Sequence, residues 1–322
     1  MTNTVRHFLT DLDLTQAEQT EVLDLALAMK KDKYGYKPYA GPQTVVVFFD
    51  KTSTRTRVSF AAGIAELGGS PLIINSGESQ LGHKESISDS AKVLERMVST
   101  IVWRTYEQAG LEEMAENSNV PVINALSDDY HPCQLLADLL TVREHKGTLA
   151  GLSMAYLGDS ANNMANSYLL AGVTAGMHVR ICGPEGYLPS ADIIAAAEKR
   201  AAETGGSVTV TTDAAAALAG ADVVATDTWV SMGQEDEKAQ RMELFRDYAV
   251  DSAAMAHADK DAIVLHCLPA YRGYEIAADV IDGPQSVVFD EAENRVHAQK
   301  AIMGWLMAKS NLAEVPGVNS NR

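Results

Sequence analysis

The sequence predicts an α/β protein built as two doubly wound parallel-sheet domains of similar size. Three observations predict it. Short apolar runs rich in β-branched and aromatic residues alternate with segments of helical period along most of the chain, the pattern of βαβ units. The polar, chemistry-bearing clusters directly follow apolar runs, at what would be the carboxyl ends of strands, where open α/β sheets place ligands. A chain of 322 residues with 46% apolar content can bury more than one core, so its length suggests two domains. Lys146-Gly147 closes one helical segment before a fresh alternation begins, which sets the expected boundary between residues 1–146 and 147–322.

Taken in order, Thr15 stands three residues before Glu18, a capping-box spacing, ahead of Val22, Leu23, Leu25, Ala26 and Met29. The segment ends on Lys30 and Lys31 and predicts a first helix whose role is packing. Residues 45–49 are all β-branched or aromatic, too short a run for a helix, and read as a buried strand. From Val58 the period becomes helical through Phe60, Ile64 and Leu67, until Gly68-Gly69 stops it. Residues 70–75 read as a second strand, residues 76–86 as a polar loop, and Ser88 or Asp89 as the start of a helix. Strands are expected at residues 100–104 and 120–126, the latter leading to Pro132 at the first position of a helix. In the second half strands are expected at residues 153–157, 178–182, 207–211, 222–226, 263–267 and 287–289. Helices are expected at residues 162–175, 190–204 and 213–219, with a last one carrying Ala301, Ile302, Trp305 and Leu306.

The formal charge of −17 argues against nucleic acid or an anionic membrane as partner, because both need basic surface. Any anion site must then be a local basic island. Cys133, Cys182 and Cys267 are odd in number and widely spaced, which suggests neither a disulfide framework nor a zinc site. No charged-then-apolar leader pattern opens the chain, and no apolar run approaches the roughly 18 residues of a membrane span, so a cytoplasmic protein is expected.

Ser53, Thr54, Arg55, Thr56 and Arg57 crowd a predicted helix N-terminus, where backbone N–H groups and the dipole favour an anion. A solvated cap needs one hydroxyl, whereas a phosphate takes several donors and a bidentate arginine. The loop has no glycine and no GxxxxGK[ST] pattern, so a nucleotide P-loop is not indicated. Arg104 ends a strand, and His131 caps a helix with Gln134 one turn in, although a lone capping histidine is commonly structural. Residues 158–163 follow the first strand of the second half but do not read GxGxxG, which weakens a dinucleotide reading and leaves Asn162 and Asn163 open as simple caps. The stretches DTWVSMG at 227–233 and HCLPA at 266–270 follow two further strands.

The STRTR run after an apolar strand resembles the carbamoyl-phosphate signature of the aspartate and ornithine carbamoyltransferases, and HPCQ at 131–134 resembles their HPxQ motif. DTWVSMG and HCLP resemble the DxxxSMG and HCLP motifs of the ornithine-using members; the aspartate-using members differ at both places. With Arg295 in EAENR, five motifs stand in the family's order along essentially the whole chain. Asp50-Lys51-Thr52 and Tyr271 depart from the pattern at positions expected to lie outside the chemistry.

The resemblance implies transfer of a carbamoyl group from carbamoyl phosphate to the side-chain amine of L-ornithine, a step of arginine metabolism, with no metal or organic cofactor. It implies that Ser53, Thr54, Arg55 and Thr56 hold the phosphate, and that Arg104 bridges phosphate and carbonyl. Thr56, Arg104 and His131 would polarise the carbonyl oxygen. Gln134 and the backbone carbonyls of Cys267 and Leu268 would accept from the carbamoyl nitrogen, and Arg295 would be the last carbamoyl-phosphate-binding residue. Asn163, Asp227, Ser231 and Met232 would bind ornithine, Asp227 and Cys267 orienting its amine. The polar loop would send Gln80 or Lys84 into a neighbouring subunit of a homotrimer; without the resemblance it reads as solvated surface. Arg57 is expected to be structural, paired with a carboxylate, and a helix at about 294–310 to pack back onto the first domain. The competing classes are a nicotinamide oxidoreductase, a non-catalytic amino-acid-binding protein, and a carbamoyltransferase acting on a modified ornithine or putrescine.

Overall fold

The structure is a computed structural model that describes residues 5–75, 85–230 and 235–319. The chain divides into two compact units, residues 1–137 with 294–322, and residues 138–293.

In chain order the first unit starts with α1 (Gln16–Lys31), β1 (Thr44–Phe49), α2 (Arg55–Glu66) and β2 (Ser70–Asn75). It continues with α3 (Ile87–Leu94), β3 (Thr100–Arg104), α4 (Gln108–Glu116), β4 (Val122–Leu126) and the start of α5 (Pro132–Lys146). The capping box of α1 forms as the spacing predicts, Thr15 accepting from the Glu18 N–H while the Glu18 carboxylate accepts from the Thr15 N–H. The four strands run parallel in the order β2-β1-β3-β4. β4 begins at Val122 rather than at residue 120, because Pro121 has no N–H to give the ladder and contributes only its carbonyl, to Ile101. α4 was not anticipated; its inward stripe is only Leu111, Met114 and Ala115, a short signal between two strands.

The second unit holds β5 (Ser153–Leu157), α6 (Asn163–Thr174), β6 (His178–Cys182), α7 (Ala191–Thr204), β7 (Ser207–Thr211), α8 (Ala214–Leu218) and β8 (Val223–Thr226). After these come α9 (Lys238–Leu244), α10 (Ser252–Met255), β9 (Ile263–His266), α11 (Ala278–Ile281) and α12 (Val288–Lys309). Its five strands are parallel in the order β7-β6-β5-β8-β9. Asn162, Ser190 and Asp213 cap α6, α7 and α8 through their side chains. The strand expected at residues 287–289 is instead the start of α12. The chain does run beside β9 briefly, since Val264 gives its N–H to Gln285 and its carbonyl to Val287. Asp290 and Glu291 then favour a helix N-terminus, and Glu291 closes the first turn onto the Val287 carbonyl.

Residues 294–309 of α12 belong to the first unit. There the fully buried Lys300 meets Glu66 of α2 at 2.9 Å and the Lys33 carbonyl at 2.7 Å, while Trp305 donates to Glu21 of α1. Each sheet turns its winding once. β1 has β2 on one side and β3 on the other; β5 has β6 on one side and β8 on the other. At such switch points the loops leaving the carboxyl ends diverge and open a crevice for ligands.

Candidate active site

In the first unit Phe49 pairs with Arg104 and Arg104 with Leu126, so the segments after β1, β3 and β4 leave the sheet at one level. The first of them enters α2. Its N-cap residue Thr54 makes no side-chain cap bond; Ser53 does the local work, its hydroxyl accepting from the Thr56 N–H at 3.2 Å. This places Arg55 and Thr56 in the first helical turn, next to the positive end of the dipole. Thr56 is fully buried, and its hydroxyl accepts from Arg295 Nη2 at 2.8 Å and, at the outer limit of a hydrogen bond, from Arg104 Nη1 at 3.5 Å. Arg295 Nη1 also donates to Gln134 Oε1 at 2.9 Å. Arg104, His131, Gln134 and Arg295 are all buried, and with Thr56 they form one polar cluster of five expected residues.

His131 sits in the field of this group. Burial pushes its imidazole well below the ordinary histidine range, and the charges of Arg295, Arg104, Arg55 and Lys51 push it further. The ring is therefore neutral near pH 7 and can offer a single N–H to an acceptor. Four cations about a neutral imidazole, in a chain of formal charge −17, form the local basic island that an anion requires.

In the second unit Leu157, Thr226 and His266 stand in register, and Thr226 Oγ1 donates to the Leu157 carbonyl at 2.8 Å. Gly158, Asp227 and Cys267 follow these three strand ends. Asn162 is the cap of α6 and also donates to the Tyr156 hydroxyl at 3.2 Å. Asn163 is thereby released from the capping role and becomes the first residue of the helix. Asp227 is buried, and the Cys267 thiol donates to its Oδ1 at 3.2 Å. Burial raises the Asp227 carboxyl above its usual range, against the pull of the Thr228 N–H and the thiol. The Cys267 thiol is pushed well above its ordinary value, first by burial and then by Asp227 and Glu291. Cys267 is thus a neutral donor rather than a thiolate, and Asp227 is the proton acceptor of the pair.

Asp227, His266 and Cys267 bring three potential metal-ligand atoms within 4.8 Å of one another. Both imidazole nitrogens are already engaged, Nδ1 with the Leu268 N–H and Nε2 with Glu275. On one side of the DTWVSMG stretch, Trp229 stacks on Phe245 and gives its carbonyl to Arg241; Arg241 also binds Asp159 at 2.8 Å. Ser231 and Met232, like Gln80 and Lys84, lie outside the described residues.

Among the described residues Arg57 pairs with no carboxylate. Its guanidinium donates to the Asn75 amide oxygen and lies 4.8 Å over the Phe49 ring, an amide and an aromatic face. Three residues whose contacts bear on these groups were given no role from the sequence. Lys51, set aside as a variable position, pairs with Asp128 and lies 4.5 Å over the Tyr106 ring, where its charge acts on His131. A cation two residues before the STRTR run, at a strand end, was the available signal. His266 stands in the HCLP motif without a role of its own there, and Glu275 carried no signal: their pairing depends on a turn whose path is not written in residue spacing.

Comparison with known proteins finds relatives along nearly the whole chain. The family described as aspartate/ornithine carbamoyltransferase, carbamoyl-P binding domain, matches residues 6–144, and the Asp/Orn binding domain of the same family matches residues 150–306. A protein named ornithine carbamoyltransferase from Renibacterium salmoninarum is 73% identical over 309 residues, covering 95% of this chain and 99% of its own. One of the same name from Clavibacter sepedonicus is 65% identical, covering 95% and 99%. The solved structure of the ornithine carbamoyltransferase from Pyrococcus furiosus superimposes with a TM-score of 0.89 at 44% identity, covering 94% of this chain and 97% of that one. The parallel sheets, the two polar clusters at their carboxyl ends and these matches together place the chain in the aspartate/ornithine carbamoyltransferase family.

Proposed function

We propose that the protein transfers the carbamoyl group of carbamoyl phosphate to the side-chain amine of L-ornithine, giving L-citrulline and phosphate. The observation that carries this reading is the buried Thr56, Arg104 and Arg295 group beside a neutral His131, at the first turn of α2. Carbamoyl phosphate presents a dianion and a carbonyl oxygen that becomes an oxyanion. Both need donors fixed in advance in a site with little water.

Ser53, Thr54, Arg55 and Thr56 bind the phosphate, and Arg104 spans phosphate and carbonyl. Thr56, Arg104 and the His131 N–H stabilise the oxyanion. Gln134, whose Oε1 accepts from Arg295, takes the carbamoyl nitrogen together with the carbonyls of Cys267 and Leu268. Ornithine is held by Asn163, Asp227, Ser231 and Met232. Its side-chain amine resembles lysine, with a reference pKa of about 10.4, so near pH 7 roughly one molecule in a thousand is neutral. The neutral amine attacks the carbonyl carbon, the tetrahedral intermediate expels phosphate with the bonding pair of its bridging oxygen, and the amine's excess proton leaves to Asp227 or to the departing phosphate. Each charge that develops meets a side chain, so the reading invokes no metal or cofactor. The protein acts in the cytoplasm, in arginine biosynthesis, as a homotrimer whose polar loop at 76–86 serves a neighbouring subunit. Support for that part is the family membership; among the described residues no helix is long and apolar enough to cross a membrane.

The test is direct. The purified chain is given carbamoyl phosphate with ornithine, aspartate, putrescine or an N-acylated ornithine, without added cofactor, and ureido product and phosphate are measured. Equimolar citrulline and phosphate with ornithine, and slower turnover of the other amines, are expected. Faster turnover of another amine, or none of ornithine, overturns the assignment.

A further inference from the structure

His266 ends β9 and is completely buried, as is Glu275 in the turn that follows. The Leu268 N–H donates to His266 Nδ1 at 2.9 Å, so Nδ1 must carry a lone pair and no proton. A neutral ring then has its hydrogen on Nε2, which lies 3.1 Å from Glu275 Oε1 and donates to it. The same Glu275 oxygen accepts from the Tyr271 N–H at 2.6 Å, and Glu275 is itself tied down by its carbonyl, which accepts from Val250. At the other end the His266 N–H is held by Glu291 at 2.8 Å. Between these ties Leu268 has φ +57°, a left-handed conformation that a leucine rarely adopts and keeps only when its surroundings enforce it.

We propose that His266, fixed as the Nε2–H tautomer by Glu275, is a positioning residue that holds Leu268 in its left-handed conformation and so sets the direction of the Cys267 and Leu268 carbonyls for the reaction. The imidazole touches no substrate. It spans the turn as a strut, one nitrogen on the peptide two residues ahead and the other on the carboxylate of Glu275, a residue itself tied to Val250 and Tyr271. The proposal rests on the carbamoyl-transfer reading above for what those carbonyls bind, and it assigns a role to two residues that lie outside that reading.

Two measurements test it. The first reads the strut itself: nitrogen-15 spectra of histidine-labelled protein are expected to show His266 as a neutral ring with bare Nδ1 and protonated Nε2. A proton on Nδ1 overturns the proposal whatever the enzyme does. The second compares His266→Leu, which removes both bonds, with His266→Asn, whose side-chain oxygen can accept from the N–H two residues on in an Asx turn. His266→Leu is expected to lower kcat for citrulline formation at least 50-fold, with the inhibition constant of inorganic phosphate unchanged, and His266→Asn to recover at least fivefold of that loss. A folded His266→Leu within threefold of the parent kcat, or a His266→Asn no better than His266→Leu, overturns it. Should His266→Leu fail to fold, the tautomer and the kcat of His266→Asn decide: a bare Nδ1 and a kcat within tenfold of the parent support the strut, and a larger loss overturns it. If the parent makes no citrulline, the carbamoyl-transfer reading falls, while the nitrogen spectrum still reports on the strut.

Discussion

Replacing Asp227 by asparagine separates recognition from folding, because the two effects carry opposite signs. The carboxylate is buried, accepts from the Cys267 thiol at 3.2 Å and from the Thr228 N–H, and among the described residues has no lysine or arginine paired with it. Its upward shift means that the folded state binds the proton more tightly than the unfolded chain, so stability falls as pH rises from the unfolded value of about 3.9 through the folded one. Asparagine keeps an oxygen for both donors and removes the buried charge. At pH 7 Asp227→Asn should therefore melt at or above the parent, with the difference shrinking toward zero below about pH 3.9. Function should move the other way. The α-ammonium of ornithine against this carboxylate is a charge-assisted hydrogen bond worth about 1.5–3 kcal/mol, which at about 1.4 kcal/mol per decade is a loss of roughly 10- to 150-fold in ornithine affinity. The assay is the ornithine dependence of citrulline formation at saturating carbamoyl phosphate, alongside thermal melts from pH 3 to 8. Ornithine affinity and turnover within about twofold of the parent would refute the recognition role, since that is far less than one decade. A lower melting temperature at pH 7 would refute the electrostatic argument and make Asp227 a structural residue.

Other consequences can be checked on the same footing. Arg55→Ala should weaken carbamoyl phosphate binding by about 10- to 150-fold through loss of a charge-assisted contact, and an unchanged dissociation constant would remove Arg55 from the phosphate site. His131→Ala should lower kcat more than it weakens carbamoyl phosphate binding, because the imidazole acts on the developing oxyanion; a pure rise in KM contradicts that. His131 is held well below the ordinary range, and burial takes His7 down to about 4, so the unfolded chain takes up protons that the fold refuses. Stability should fall as pH drops below about 6.5, and the fall should be shallower in a folded His131→Gln; an unchanged slope means the ring is not kept neutral. Finally, mixing Arg55→Ala with Gln80→Ala subunits should restore activity in hybrid trimers, and inactive hybrids that demonstrably form would place the whole site in one chain.

The parts of the fold legible in the sequence are those set by local chemistry. Thr15 and Glu18, Asn162, Ser190 and Asp213 announce helix starts because a side chain meets an N–H two or three residues away, and the strands announce themselves by continuous apolar runs. The run at 287–289 shows the limit. Its residues suit a strand, and the neighbouring residues do touch β9, but the acidic first turn of α12 wins because it gains a helix's worth of hydrogen bonds. Sheet order is not local at all: nothing in the spacing places β3 beside β1 or β8 beside β5, yet those placements create the two switch points.

The candidate site divides along the same line. The residues proposed to meet ligands sit in short motifs, because strand ends and first helical turns bring neighbours in sequence to one place. Ser53 and Thr56, or His131 and Gln134, are examples. Residues that act on those residues come from anywhere. Arg295 reaches Thr56 from 239 positions away, and it was legible only because it lies in a motif of its own. Lys51 and Glu275 lie in none. Their contributions are a field at His131 and a hydrogen bond to His266, which need proximity in space and no fixed spacing. The same reasoning explains how an acidic chain binds a dianion. A net charge of −17 describes the far field, whereas within a Debye length of about 8 Å the buried guanidiniums around Thr56 dominate. Global charge therefore argues against polyanionic surfaces as partners while leaving a small phosphate ester free to bind.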